Sequence, residues 1–181
     1  MIAEDGAILK SVPILVSRCV DLRGEPMECR RMNGRPDFIA NFWRVVKEFR
    51  SKFPTMQKVL AICDADRDCA ATLAALLRER ADARLGALPF QLVFHVIERE
   101  LETWWVAEAS AISAATGVVI PFPGGNVEQG VLDPKAYIGH RLAAARRIYL
   151  PSDAAATAEL IDLNVLRQRC PGFVRFERRA I

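Results

Sequence analysis

Apolar residues concentrate in two compact runs, and each run stops at carboxylates. The first is Val59-Leu60-Ala61-Ile62-Cys63, closed by Asp64, Asp66 and Asp68. The second is Phe90 to Ile97, followed by Glu98, Glu100 and Glu102. Short apolar runs of this kind predict strands buried on both faces, over 58–63 and 90–97. Helical spacing surrounds them. Phe38, Phe42, Val45, Val46 and Phe49 recur every three to four positions, which predicts a helix over 37–52 with Asp37 as its N-cap and Pro54 beyond its end. Ala70, Leu73, Leu76 and Leu77 give an amphipathic helix over 68–83. A further helix is expected over 101–115, then a Gly- and Pro-rich loop over 117–130. Helices over 134–147 and 153–169 follow, with a last turn near Phe173. Residues 27–32 suit a short strand. Over 7–20 the pattern fits helix or strand, and Pro13 can open a helix or break one.

Strand, helix, strand, helix in alternation predicts an α/β fold: a compact parallel sheet flanked by helices. The chain has 181 residues and is 51% hydrophobic, enough for one sizeable core. We read residues 1–116 as the α/β domain and 117–181 as a loop and helical C-terminal extension packed on it.

The ends of parallel strands share one sheet edge, where open α/β sheets bind ligands. Asp64, Asp66 and the 98–102 acids are therefore expected to converge. Clustered carboxylates repel unless a proton or cation lies among them. Hard oxygen ligands point to Mg2+ or Mn2+, and Mg2+ needs few of them because it keeps waters. Helix capping is the rival reading, and it accounts for one acid per helix more readily than for several. A bound cation there would suit phosphoryl chemistry. Lys135, opening a helix after the loop, would hold a phosphate or offset developing negative charge; a solvated surface lysine explains it equally.

Other patterns fall away. Asp64-Ala65-Asp66-Arg67-Asp68 opens like a calcium loop, but Cys69 replaces the turn glycine and Ala75 the bidentate glutamate. The same Asp-x-Asp is similar to the nucleophile loop of haloacid-dehalogenase-type phosphatases, which usually have Thr or Val where Asp68 stands. No glycine-rich phosphate loop or nucleophile elbow occurs. His95, inside an apolar strand, is expected to be a satisfied core residue. Trp104 and Trp105 offer base-stacking surfaces, but adjacent helical positions diverge, and Trp104 is expected in the core.

Charge adds little. The net charge is +3. Arg clusters at Arg30-Arg31, Arg146-Arg147 and Arg175 to Arg179 suit phosphate contacts, with a solvated surface as the plainer reading. Five scattered cysteines support neither a disulfide framework nor a zinc site. With no apolar run of membrane-spanning length, the chain reads as cytoplasmic.

Taken together, the motifs resemble the TOPRIM (topoisomerase–primase) domain family. An upstream Glu4 and the Asp64-Ala65-Asp66 sequence match that family's Glu and Asp-x-Asp. More closely, Arg99-Glu100-Leu101-Glu102-Thr103-Trp104-Trp105, Asp133-Pro134-Lys135 and Cys170-Pro171-Gly172-Phe173 are similar to an uncharacterised TOPRIM-like family of prokaryotic proteins related to OLD-type (overcoming-lysogenisation-defect) nucleases. The resemblance implies magnesium held by Glu4, Asp64 and Asp66, in a nuclease acting on DNA or RNA. On that footing Glu4, Asp64 and Asp66 are expected to be catalytic through the metal. Glu100 or Glu102 is expected to complete the ligand set (Glu102) or act as general base (Glu100), and Lys135 or a nearby Arg to contact the scissile phosphate. Members often lie beside ATPase genes in defence-like cassettes, which implies an ATPase partner. Only three residues precede Glu4, so the first strand is expected to be very short or to begin upstream of Met1. The frequently acidic position a few residues after Glu4 is absent. The alternative expectation is a non-enzymatic accessory or regulatory subunit with a vestigial metal site; a small-molecule phosphatase is a third.

Overall fold

The computed structural model describes residues 1–20 and 27–180. Four strands form one all-parallel sheet in the order β2-β1-β3-β4. They are β1 (Ile2–Ala3), β2 (Arg30–Arg31), β3 (Lys58–Asp64) and β4 (Gln91–Ile97). The expected α/β class with a helix-flanked parallel sheet is thus present. β3 and β4 run side by side in register from Lys58↔Gln91 to Asp64↔Ile97, and β1 joins β3 through Ile2↔Ala61 and Ala3↔Ile62.

Side chains on β3 alternate between two cores, as a strand's twofold period requires. Val59, Ala61 and Cys63 face α2 (Arg35–Lys52) and α3 (Ala70–Leu85), meeting Phe38, Phe42 and Leu77. Leu60 and Ile62 face the other layer, which holds α1 (Gly6–Cys19), α4 (Glu102–Ala107), α5 (Ala109–Thr116) and the C-terminal helices. The C-terminal third is part of this second core. α8 (Pro151–Leu160) packs on α1 and α5, and α10 (Pro171–Ala180) packs on β4 and on α9 (Leu163–Arg169). Phe173 and Phe176 from α10 each lie 5.2 Å from the Trp104 ring.

Several boundaries differ from expectation for local reasons. The ambiguous segment 7–20 is helix α1: the Asp5 carboxylate caps it by accepting from the Ile8 N–H at 2.9 Å, and Ile8, Val12, Leu15 and Val16 form its buried stripe. Pro13 lies inside this helix. Asp37 is not the cap of α2. The helix starts at Arg35 after Gly34, whose φ of 80° needs glycine, and Pro36 occupies its first turn. Asp37 instead accepts from the Asn33 N–H and the Asn41 side chain. The helix expected over 101–115 breaks at Glu108 (φ −121°), which caps α5. The one expected over 153–169 breaks at Asp162, whose carboxylate accepts from Asn164 and Val165. The loop at 117–130 ends in a short turn, α6 (Val127–Gly130), and α7 spans Pro134–Ala144. Among the described residues, no helix is long and apolar enough to cross a membrane.

Candidate functional site

The carboxyl ends of β1 and β3 bring Glu4 and Asp64 together. β1 is anchored by the pairing of Ala3 with Ile62, so the next residue, Glu4, emerges beside the end of β3. Its Oε2 accepts the Asp64 backbone N–H at 2.9 Å, across 60 positions of sequence. Both acids are buried, at 9% and 7% exposure. Burial pushes the Glu4 carboxyl up to about 7, with Asp66 and Asp5 adding to the rise; the Asp64 N–H and Arg35 oppose it. Asp64 is pushed well above the ordinary carboxylate range by burial, then by Glu102 and Glu4. Its Oδ1 is buried and has no hydrogen-bond partner.

The two aspartates of Asp-x-Asp part company because the chain turns between them. Ala65 still bonds to β4, donating to the Ile97 C=O at 2.9 Å. Asp66 then takes a left-handed conformation (φ 49°) and donates its N–H to Arg99 C=O at 2.7 Å, where Arg99 is also left-handed (φ 64°). Aspartate tolerates that region better than most side chains. The turn sends the Asp66 carboxylate outward to Arg35, at 3.1 Å. Arg35 also pairs with Asp68 at 3.2 Å and donates to the Ala65 C=O at 2.6 Å.

The three glutamates after β4 also separate. Glu98 leaves the cluster to pair with Arg175 at 3.2 Å. Glu100 accepts the Lys135 backbone N–H at 2.9 Å, tying the start of α7 to the sheet edge. Glu102 is 1% exposed at the start of α4. Burial raises its carboxyl to about 7 against the pull of Lys135, and its Oε1 has no partner. Lys135 answers in kind: Glu102 first, then Asp5, Glu100 and Asp64, hold its ammonium above the usual lysine value despite partial burial. No carboxylate lies within ion-pair distance of that ammonium among the described residues. A cleft of about 330 Å3, lined by Arg35, Asp66, Arg67, Glu100, Leu132 and Asp133, opens over this edge.

Sequence reasoning missed several participants. Asp5 caps α1 and adds charge to the cluster; Arg35 pairs with both Asp66 and Asp68 and offsets part of their charge. The Tyr149 hydroxyl lies beside Glu102 and Trp105, which act on it electrostatically, though no well-aligned hydrogen bond forms among them. Only the Asp5-Gly6 start of α1 carried a local signal, as an N-cap. Both Trp104 and Trp105 are fully buried, so neither offers a base-stacking face. The half-buried tryptophan is Trp43, with Arg44, Lys47 and Arg84 each about 5 Å from its ring centre. His95 is in the core as expected but is not satisfied. Both ring nitrogens lack partners, its ring packs on Phe176 at 5.2 Å, and burial lowers its pKa to about 3.

These groups suit a hard divalent cation in their chemistry. Asp64 Oδ1 is a buried oxygen without a donor, and such an atom requires a proton, a water or a cation; Glu102 Oε1 is buried beside the Tyr149 hydroxyl without a formed hydrogen bond. No three His, Cys, Asp or Glu side chains among the described residues stand as a ready ligand set. Glu4 and Asp64 are the coupled pair, and Asp66 is turned to Arg35. No protein-family model, curated protein or solved structure matches the chain.

Proposed function

We propose that this chain is a Mg2+- or Mn2+-dependent phosphodiester-cleaving protein of TOPRIM type that acts on nucleic acid. The observation that carries the reading is the contact of Glu4 Oε2 with the Asp64 N–H, which couples the upstream Glu to the Asp-x-Asp strand end. Glu4 and Asp64 would hold the cation, joined by Asp66 on release from Arg35 and by Glu102. A bound divalent ion supplies Lewis acidity toward a phosphoryl oxygen and removes the repulsion between these acids and a nucleic-acid backbone. Glu100, which lines the cleft and is raised by its own partial burial, would accept a proton from an attacking water. Lys135 offers an unpaired ammonium to a phosphate oxygen. The cations around Trp43 supply a surface for backbone contact outside the cleft. The test is cleavage of supercoiled plasmid and of single-stranded DNA and RNA with Mg2+ or Mn2+, run beside Asp64→Asn. Cleavage that persists in excess EDTA, or in Asp64→Asn, overturns the proposal.

One observation favours a second reading. Arg35 against Asp66 and Asp68, and Lys135 against Glu102, give the cluster internal countercharges. An accessory or regulatory subunit, docked on an ATPase partner, would use the acids as a structural knot. Titration with Mn2+ separates the two: binding in the micromolar to low millimolar range supports the enzyme, and none up to about 10 mM supports the scaffold.

A further inference from the structure

β4 ends the sheet on its side, and its outer edge opens into a cleft of about 570 Å3 far from the acids. Four successive strand residues, Gln91 to Phe94, line it, so its floor is the strand's edge rather than either face. The late turns of α3 form one wall, with Arg78 and Asp82, and the end of α10 forms the other, with Arg178 and Arg179.

Pairing with β3 fixes which main-chain groups face the cleft. Gln91 donates inward to the Gln57 C=O at 2.9 Å, and the Ile97 C=O accepts inward from Ala65 at 2.9 Å. The twofold period then turns the N–H and C=O of Leu92, Phe94 and Val96 outward. Among the described residues no backbone group bonds to them. An open row of donors and acceptors is a template for an added strand.

Charge selects the occupant. Arg78, Arg178 and Arg179 form no ion pair among the described residues, and Asp82 is the one acid lining the cleft. A second copy paired edge to edge would set these arginines against their duplicates. We propose that the open edge of β4 binds an extended acidic segment of a protein partner by strand addition. The segment's main chain bonds to Leu92 and Phe94, and its carboxylates meet the arginines. This surface is independent of the acidic cluster, so either assignment can fail without the other.

The test uses the full chain with two blocked peptides about eight residues long, one alternating Glu and Val, the other Lys and Val. The glutamate peptide is expected to bind about tenfold or more tightly, and to slow hydrogen exchange at the Leu92 and Phe94 amides about tenfold. Arg178→Glu combined with Arg179→Glu should abolish the preference while leaving the melting temperature unchanged. N-methylation of the peptide's alternate amides should abolish binding. Equal binding of the two peptides overturns the proposal. So does unchanged exchange at Leu92 and Phe94, or concentration-dependent protection of those amides without peptide, which would mark self-pairing. Protection by single-stranded DNA in place of peptide overturns it as well.

Discussion

The Asp64 backbone N–H donates to Glu4 Oε2 at 2.9 Å, joining the ends of β1 and β3 through a carboxylate that burial pushes up to about 7. A backbone donor holds one oxygen of Glu4, while Asp64 Oδ1 beside it has none. The pair is therefore preorganised and unsatisfied at once. Asp64→Asn and Glu4→Gln are expected to cut metal-dependent cleavage about 100-fold or more. Both variants should keep their circular dichroism spectra, since each removes a repulsive charge. Single-turnover cleavage at saturating Mn2+ measures the loss.

Glu4 and Glu102 both sit at about 7 in the fold, against 4.5 for an unperturbed glutamate. Their folded values are raised, so the stability they contribute is complete below about pH 4.5 and is lost as pH rises toward and through 7. The metal-free protein is expected to melt roughly 5–10 °C lower at pH 8 than at pH 5. Glu102→Gln should flatten that slope and raise the melting temperature at pH 8. Thermal melts in EDTA across this range check both. A rise in stability from pH 5 to 8 would show that the acids are ionised and satisfied without metal.

Lys135 and Glu102 shift each other in opposite directions, so in the proposed site the lysine would serve as a positioning charge for the buried acid as well as a phosphate ligand. Lys135→Met should lower kcat about 100-fold. It should also move the acid limb of the pH–rate profile upward, because Glu102 loses the cation that eases its ionisation. A change in KM alone, with the limb fixed, would reduce Lys135 to a backbone contact.

Arg35 holds Asp66, Asp68 and the Ala65 C=O together. Removing it has two opposed effects. Arg35→Ala should cost about 1–2 kcal/mol in metal-free stability through the lost contacts. It should also tighten Mn2+ binding several-fold, since a competing cation leaves and Asp66 is freed. Denaturant melts and calorimetric titration read the two separately.

Much of this arrangement was legible in the sequence. The apolar runs ending at Asp64 and Ile97 gave β3 and β4 nearly residue for residue, and hence the edge where acids collect. What stayed hidden was the direction of each acid. Asp64 and Asp66 look equivalent on paper, and Glu98, Glu100 and Glu102 look like one series. Left-handed turns at Asp66 and Arg99, bonded to each other, break the alternation at both strand ends. Aspartate's tolerance of positive φ is only a weak signal at Asp66, and nothing in the residue type marks Arg99. Arg35 and Tyr149 were invisible because their roles depend on neighbours about 30 and 50 positions away. The breaks at Glu108 and Asp162 had signals, a capping acid before an apolar turn, that periodicity outweighed.

The C-terminal third offers a test of a different kind. Phe173 and Phe176 pack on Trp104 and on each other, beneath the sheet that carries the acids. Phe176→Ala should cost about 3–5 kcal/mol, and the whole chain should still unfold in one transition. A biphasic melt in which residues 117–180 unfold first would mark that segment as a separate unit.

The central claim is that Glu4 and Asp64, with Glu102, form a divalent cation site. Mn2+ titration followed by electron paramagnetic resonance tests it most directly, comparing the unaltered chain with Asp64→Asn and Glu102→Gln at pH 7.5. The account predicts saturable binding at a dissociation constant below about 1 mM, weakened tenfold or more in each variant. Absence of binding up to about 10 mM, or equal binding in Asp64→Asn, would contradict it.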